Sequence, residues 1–160
     1  MKTTETIAIG ADSFAINLKR KIQEYLAQQG HHLIDLNQSK PKSNPYYKIA
    51  DQAGNLIVEG TANKAILLCG TGMGMAIIAN KHPGVYASVC ESVHAAKLSR
   101  IINDANILTL GSMLIGEHLA IEMVTTWLNT PFASEFDQEI INLLKTSKQK
   151  ITQLEEGLFA

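Results

Sequence analysis

The sequence predicts an α/β protein in three layers, α/β/α, built on a five-stranded parallel sheet. Two observations predict it. Short apolar runs alternate with longer amphipathic ones five times in succession, and the short runs are apolar almost throughout instead of every second residue. Such strands belong in a sheet covered by helices on both faces. The chain has 160 residues, enough for one domain with a sizeable core.

The first strand is "TIAIG" (6–10). A helix from about Phe14 to Gln29 follows, with Phe14, Leu18, Ile22 and Leu26 at four-residue intervals on one face. Gly30 closes it, and "HHLIDL" is the second strand. "NQSKPKSNP" reads as a loop from its Pro, Ser and Asn content. A helix over Tyr46 to Glu59 leads to the strand "KAILLCG", a glycine turn and a small-residue helix. The strand "VYASVC" (85–90), the helix "SVHAAKLSRII" (92–102), the strand "NILTLG" (106–111) and a helix over Gly116 to Asn129 complete the series. No strand remains for the tail from Ser134. Its helical stripes, Phe136, Ile140 and Leu144, then Ile151, Leu154 and Leu158, call for a cover. We expect a domain over 1–132 and a helical tail over 133–160 that packs on a neighbouring subunit.

Composition narrows the function. The chain is 46% hydrophobic and 18% charged, with a formal net charge of -1. That balance supplies no basic surface for nucleic acid or anionic lipid. Cys69 and Cys90 do not make a disulfide scaffold, and no residues have metal-ligand spacing, so neither metal nor cofactor is expected. The stretch "MKTTETIAIGADSF" has no uninterrupted apolar segment, which argues against a signal peptide or membrane span and for a cytoplasmic protein.

In open α/β sheets ligands sit beyond the carboxyl ends of the strands. Asp12, the turn after Cys69, Glu91 and Gly111 all lie at such ends. The turn "CGTGMG" (69–74) can expose consecutive N–H groups to an anion. It is neither a dinucleotide fingerprint nor a P-loop, since it opens the third unit and no G-K-[ST] follows. A thiol at a helix start has its thiolate favoured. Beside amide donors it can take a proton from carbon while the oxyanion formed is held in place, as aldose–ketose interconversion requires. Thr71 can pass a proton at an oxygen. The alternative is a buried cysteine closing a strand, and Cys90 reads as such a core residue.

The segments "IAIGADSF" (7–14), "LLCGTGMGMAIIANKHPGVYASVC" (67–90), "AAKLSRIINDANILTLGSMLIG" (95–116) and "AIEMVTTWL" (120–128) give the chain its likeness to a family. It resembles ribose-5-phosphate isomerase B and the two subunits of galactose-6-phosphate isomerase. The resemblance implies a Rossmann-like sheet and metal-free isomerisation of a sugar phosphate in an assembly whose active sites are shared between subunits. It makes Cys69 the base between C1 and C2, and Gly70, Thr71, Gly72, Met73 and Gly74 the loop that holds the enediolate. Asp12 becomes the acid that meets the sugar hydroxyls and helps open the ring, and Asn103 a substrate contact. Arg100, from the family's "SR", is either a sugar or phosphate contact or a structural residue.

Several positions depart from the pattern. Ser13 stands where the family has a phosphate-contacting histidine, Ile102 where it has a ring-opening histidine, and Met113 where it has an arginine. Asn44 precedes Pro45 where a tyrosine is usual, and "PFASEFDQEI" replaces an arginine-bearing segment. Two readings account for the losses. One is half of a heteromer whose related partner supplies the missing groups. The other is a homodimer or tetramer with a changed sugar substrate, in which His94 is either a replacement for the lost proton transfer or a surface residue in the first turn of its helix. A non-catalytic relative that binds a sugar is the third alternative. Trp127 reads as core or interface, and the remaining histidines as surface residues.

Overall fold

A computed structural model describes residues 5–38 and 44–159. Residues 39–43, most of the expected loop "NQSKPKSNP", and the first four residues, on which the reading of the N-terminus partly rests, lie outside that description. The chain forms β1 (Thr6–Ala11), α1 (Ile16–Gln28), β2 (His32–Asp35), α2 (Tyr46–Val58), β3 (Lys64–Cys69) and α3 (Met73–Ala79). It continues through β4 (Ala87–Val89), α4 (Val93–Ile101), β5 (Ile107–Gly111), α5 (Glu117–Asn129) and α6 (Gln138–Leu158). The five strands are all parallel, in the order β2-β1-β3-β5-β4. This is the three-layer, Rossmann-like arrangement that the alternating runs predict, with α6 as a helical extension.

The apolar continuity of the central strands has a direct cause. Successive side chains leave a strand on opposite faces, and here both faces are covered. Ile7, Ile9, Ile66, Leu68, Leu108 and Leu110 pack on one face against Ile22 and Leu26 of α1 and Met123 and Trp127 of α5. Ala8, Ala65, Leu67, Cys69 and Ile107 pack on the other, against Ile49 and Ala53 of α2 and Met75 and Ala79 of α3. The chain therefore leaves β1 towards one face and β3 towards the other. Adjacent parallel strands whose following helices diverge open a crevice between their carboxyl ends, here between Ala11 and Cys69.

One expected core residue moves. Phe14 is outside α1 and 68% exposed, because the turn after β1 continues to Ala15. The Phe14 amide donates to the Asp12 carboxylate at 3.0 Å, and the Ala15 amide donates to the Asp12 carbonyl at 3.2 Å. Leu18, Ile22 and Leu26 keep the predicted stripe. α6 has no buried residue, although Lys148 pairs with Asp104 and Tyr86 donates to Glu155 at 2.9 Å. No helix among the described residues is long and apolar enough to cross a membrane.

Candidate active site

Strand register places the chemistry. Ala11 is opposite Leu68 and Cys69 is opposite Gly111, so Asp12, Cys69 and Gly111 emerge side by side from three neighbouring strands, with Ser112 next along the chain. Asp12 is held to β3 by its amide, which donates to the Leu68 carbonyl at 3.1 Å. Behind it, Asn37 clamps Ala11 from both sides. The Ala11 amide donates to Asn37 Oδ1 at 2.9 Å, and Asn37 Nδ2 donates to the Ala11 carbonyl at 2.8 Å. Burial pushes the Asp12 carboxyl above its ordinary pKa, outweighing the hydrogen bonds from the backbone of Phe14 and Ala15. A carboxyl so placed holds its proton towards higher pH and can donate it to a substrate oxygen.

The glycine turn is fixed by close backbone approach. Gly72 has φ +77°, and a Cβ there would lie 2.9–3.1 Å from Leu110 backbone atoms. A Cβ on Gly111 would meet the Thr71 backbone at 2.7–2.8 Å. The two glycines let the turn rest directly on the end of β5. There the Cys69 carbonyl accepts from the Ser112 amide at 2.9 Å, and the Gly70 carbonyl from the Met113 amide at 3.0 Å. Among the described residues no peptide bond is cis, and in a trans peptide the N–H points opposite to the C=O. The Gly70 and Thr71 amides therefore point away from β5, as donors for a ligand.

Cys69 lies at the root of this turn, 6% exposed, and its Sγ accepts from the Gly72 amide at 3.0 Å. Thr71 Oγ1 accepts from the Met73 amide at 3.3 Å, leaving its hydroxyl proton to donate elsewhere. Ser13 and Met73 are exposed on the rim. Gly74 lies under the Tyr46 ring, where a Cβ would be 2.7 Å from Cε2, and Gly70 lies beside the Met113 thioether.

Residues 7–144 match the family model described as Ribose/Galactose Isomerase. The chain belongs to this family. Among its members, a 4-deoxy-4-sulfo-D-erythrose isomerase from Clostridium sp. (strain MSTE9) is 42% identical, covering 96% of this chain and 97% of that one. A D-erythrulose-4-phosphate isomerase from Pectobacterium atrosepticum is 41% identical over 79% of this chain and 84% of its own. The solved structure of ribose-5-phosphate isomerase B from Clostridium thermocellum superposes with a TM-score of 0.85 at 35% identity, covering 96% of this chain and 99% of that one.

The structure brings Asp12, Ser13, Cys69, Gly70, Thr71, Gly72, Met73 and Gly74 together at the carboxyl ends of β1 and β3. Two expected residues do not join them within one protomer. Arg100 is a correction: it is 8% exposed near the amino end of β5. Its Nη1 donates to Asp104 at 2.8 Å and to the Ala105 carbonyl at 2.7 Å, and its guanidinium lies over Trp127 at 5.7 Å. It is structural. Asn103 is exposed in the turn between α4 and β5, at the same amino end. A polar cleft of about 430 Å³ opens there, but its cations are paired, Lys64 with Glu5 and both Arg100 and Lys148 with Asp104.

Residue reading passed over Asn37, Ser112 and Tyr46. A polar residue ending an apolar strand was the available signal for Asn37 and Ser112. Nothing local announces Tyr46. Cys90 is buried at the end of β4, where burial raises its thiol pKa, and Trp127 is core. Among the described residues no group of three or more His, Cys, Asp or Glu side chains is placed to hold a metal ion.

Proposed function

We propose that this protein is an aldose–ketose isomerase in which Cys69 moves a proton between C2 and C1 of a four-carbon sugar with a terminal anionic group. The observation that carries the reading is the thiol beside two outward-facing amides, one strand from a half-buried carboxyl. The Cys69 thiolate takes the proton from C2. The C–H electron pair becomes the C1=C2 bond, and the carbonyl pair moves onto O1, which accepts from Gly70 and Thr71. Asp12 gives a proton to O1 and receives the one leaving O2, with Thr71 able to assist. Cys69 then returns its proton to C1, and the ketose is complete.

Four carbons are favoured by the relatives named for sulfo-erythrose and erythrulose 4-phosphate, which are more similar to this chain than the ribose-5-phosphate isomerase B structure is. The position of Asn103 supports a second proposal, that the working unit is a homo-oligomer in which this turn completes a neighbour's site. A related but different subunit could fill the same place. The buried reduced thiols suit a cytoplasmic setting.

The test is an isomerase assay on erythrose 4-phosphate, 4-deoxy-4-sulfoerythrose, ribose 5-phosphate and galactose 6-phosphate, in deuterated water. Turnover of the four-carbon sugars with solvent deuterium at C1 of the ketose, absent in Cys69→Ala, is the expected result. Preference for a five- or six-carbon sugar would overturn the substrate assignment, and undiminished turnover by Cys69→Ala would overturn the role of the thiol.

A further inference from the structure

Moving a proton between O1 and O2 requires a carboxyl that stays within hydrogen-bond reach of both oxygens. A side chain is aimed by the backbone that carries it, and before Asp12 that backbone runs past the end of a neighbouring strand. Ile9 of β1 is opposite Asp35, where β2 ends, and the Leu36 amide donates to the Ile9 carbonyl at 2.9 Å. Backbone groups two residues apart on a strand point to the same neighbour. Ala11 thus turns its N–H and C=O towards the place that a longer β2 would fill, and the Asn37 side chain fills it. Its Oδ1 accepts from the Ala11 amide at 2.9 Å, and its Nδ2 donates to the Ala11 carbonyl at 2.8 Å. A carboxamide offers that acceptor and that donor side by side.

The Ala11 carbonyl and the Asp12 amide belong to one peptide plane. Asn37 holds one edge of it, and the Leu68 carbonyl, which accepts from the Asp12 amide at 3.1 Å, holds the other. Asn37 is itself held from behind. Its backbone amide donates to Asp35 Oδ1 at 2.8 Å, and Gln23 Nε2 of α1 donates to Asp35 Oδ2 at 3.1 Å. The Lys19 ammonium, also from α1, pairs with Oδ1. Lys19 and Asn37 are each 4% exposed. Burial pushes the Asp35 carboxyl up, but the hydrogen bonds from Lys19, Asn37 and Gln23 outweigh it and leave its pKa below the ordinary value. Asp35 therefore stays an anion and an acceptor for all three.

Resting on the isomerase reading above, we infer that Asn37 is a positioning residue for Asp12. It fixes the peptide from which the carboxyl departs, while Asp35, Lys19 and Gln23 fix Asn37. The carbon base is held separately, since Cys69 lies on β3 and its Sγ accepts from the Gly72 amide. The Asn37 contacts thus govern proton transfer at oxygen and leave the thiol where it is.

The test is a double-mutant cycle of Asn37→Ala with Asp12→Asn, in steady-state assays on the four-carbon sugars. Alone, Asn37→Ala should lower kcat by about 10–100-fold, with KM within about threefold of the natural value. With Asp12→Asn already present, the same change should lower kcat by no more than about twofold, because the carboxyl it aims is gone. A loss of equal size in both backgrounds would mean that Asn37 supports the site at large. That result overturns the inference and leaves the isomerase reading intact, and so does natural turnover by Asn37→Ala. Asn37→Ser, which keeps a donor and an acceptor on a shorter side chain, takes the place of Asn37→Ala in the cycle if that variant does not fold. Undiminished turnover by Asp12→Asn overturns the role of Asp12 and this inference with it. Silence of the natural protein with every sugar overturns the isomerase reading and this inference together.

Discussion

Cys69 and Asp12 are separable by their effects on activity and stability. Cys69 faces the α2–α3 side of the sheet, and its Sγ is tied to the Gly72 amide. Replacement by serine keeps a hydrogen-bond acceptor of similar size but a far weaker carbon base. Cys69→Ser should lower kcat by about 10²–10⁴-fold with KM changed only a few-fold, in steady-state assays on a four-carbon substrate. Asp12 behaves differently because burial raises its pKa. A carboxyl raised in the folded state contributes stability below its unfolded pKa, and that contribution is lost as pH rises through the folded value. Asp12→Asn removes the ionisable group without removing the acceptor for Phe14. Its thermal midpoint should exceed that of the natural protein at pH 7, and the two should converge towards pH 4, while activity falls at both. A midpoint advantage that persists unchanged at pH 4 would mean that ionisation of Asp12 is not its source.

At the scale of elements, strand and turn were legible in different degrees. The continuous apolar runs showed β1, β3 and β5 as covered strands, and "CGTGMG" showed a tight turn, because both facts are local to the chain. Nothing in the residue order showed that β5 lies beside β3, so the mutual dependence of Gly72 and Gly111 was invisible. Asn103 and Arg100 lay close to the matching motif in sequence, yet α4 carries both to the opposite end of the sheet. Gly72 is the sharpest test of the turn. Gly72→Ala requires a left-handed side-chain residue and places Cβ about 3 Å from the Leu110 backbone. It should cost about 1–3 kcal/mol for the backbone conformation alone, read by urea unfolding, and should displace the outward amides. Gly74→Ala meets a side chain instead, the Tyr46 ring. Its loss of stability should therefore be largely recovered by Tyr46→Ala, whereas Gly72→Ala should not be rescued by that change.

On the scale of the whole molecule, the sheet needs nothing from α6. Its two faces are filled by α1, α4 and α5 on one side and α2 and α3 on the other, while α6 buries no residue. Ile141 and Leu144 are half-buried, and polar contacts add to them: Lys97 to Glu135 just before the helix, Lys148 to Asp104, and Tyr86 to Glu155. Exposed charge pairs of this kind each contribute little. The apolar side chains Leu143, Ile151, Leu154 and Leu158 remain exposed at helical spacing, Leu158 at 77%. A stripe of that length fits the proposal that a second copy of the chain covers it and that the turn at Asn103 completes a neighbour's crevice. On that proposal, the natural chain should sediment as an oligomer and the variant with Leu154 and Leu158 replaced by Asp as a monomer. The far-ultraviolet spectrum and the thermal transition of the sheet domain should stay close to those of the natural chain, because no core contact is removed. Isomerase activity should fall with the fraction of monomer and recover as protein concentration drives reassociation. A variant that is monomeric yet fully active would show that each protomer carries a complete site, and the turn at Asn103 would then be outside the chemistry.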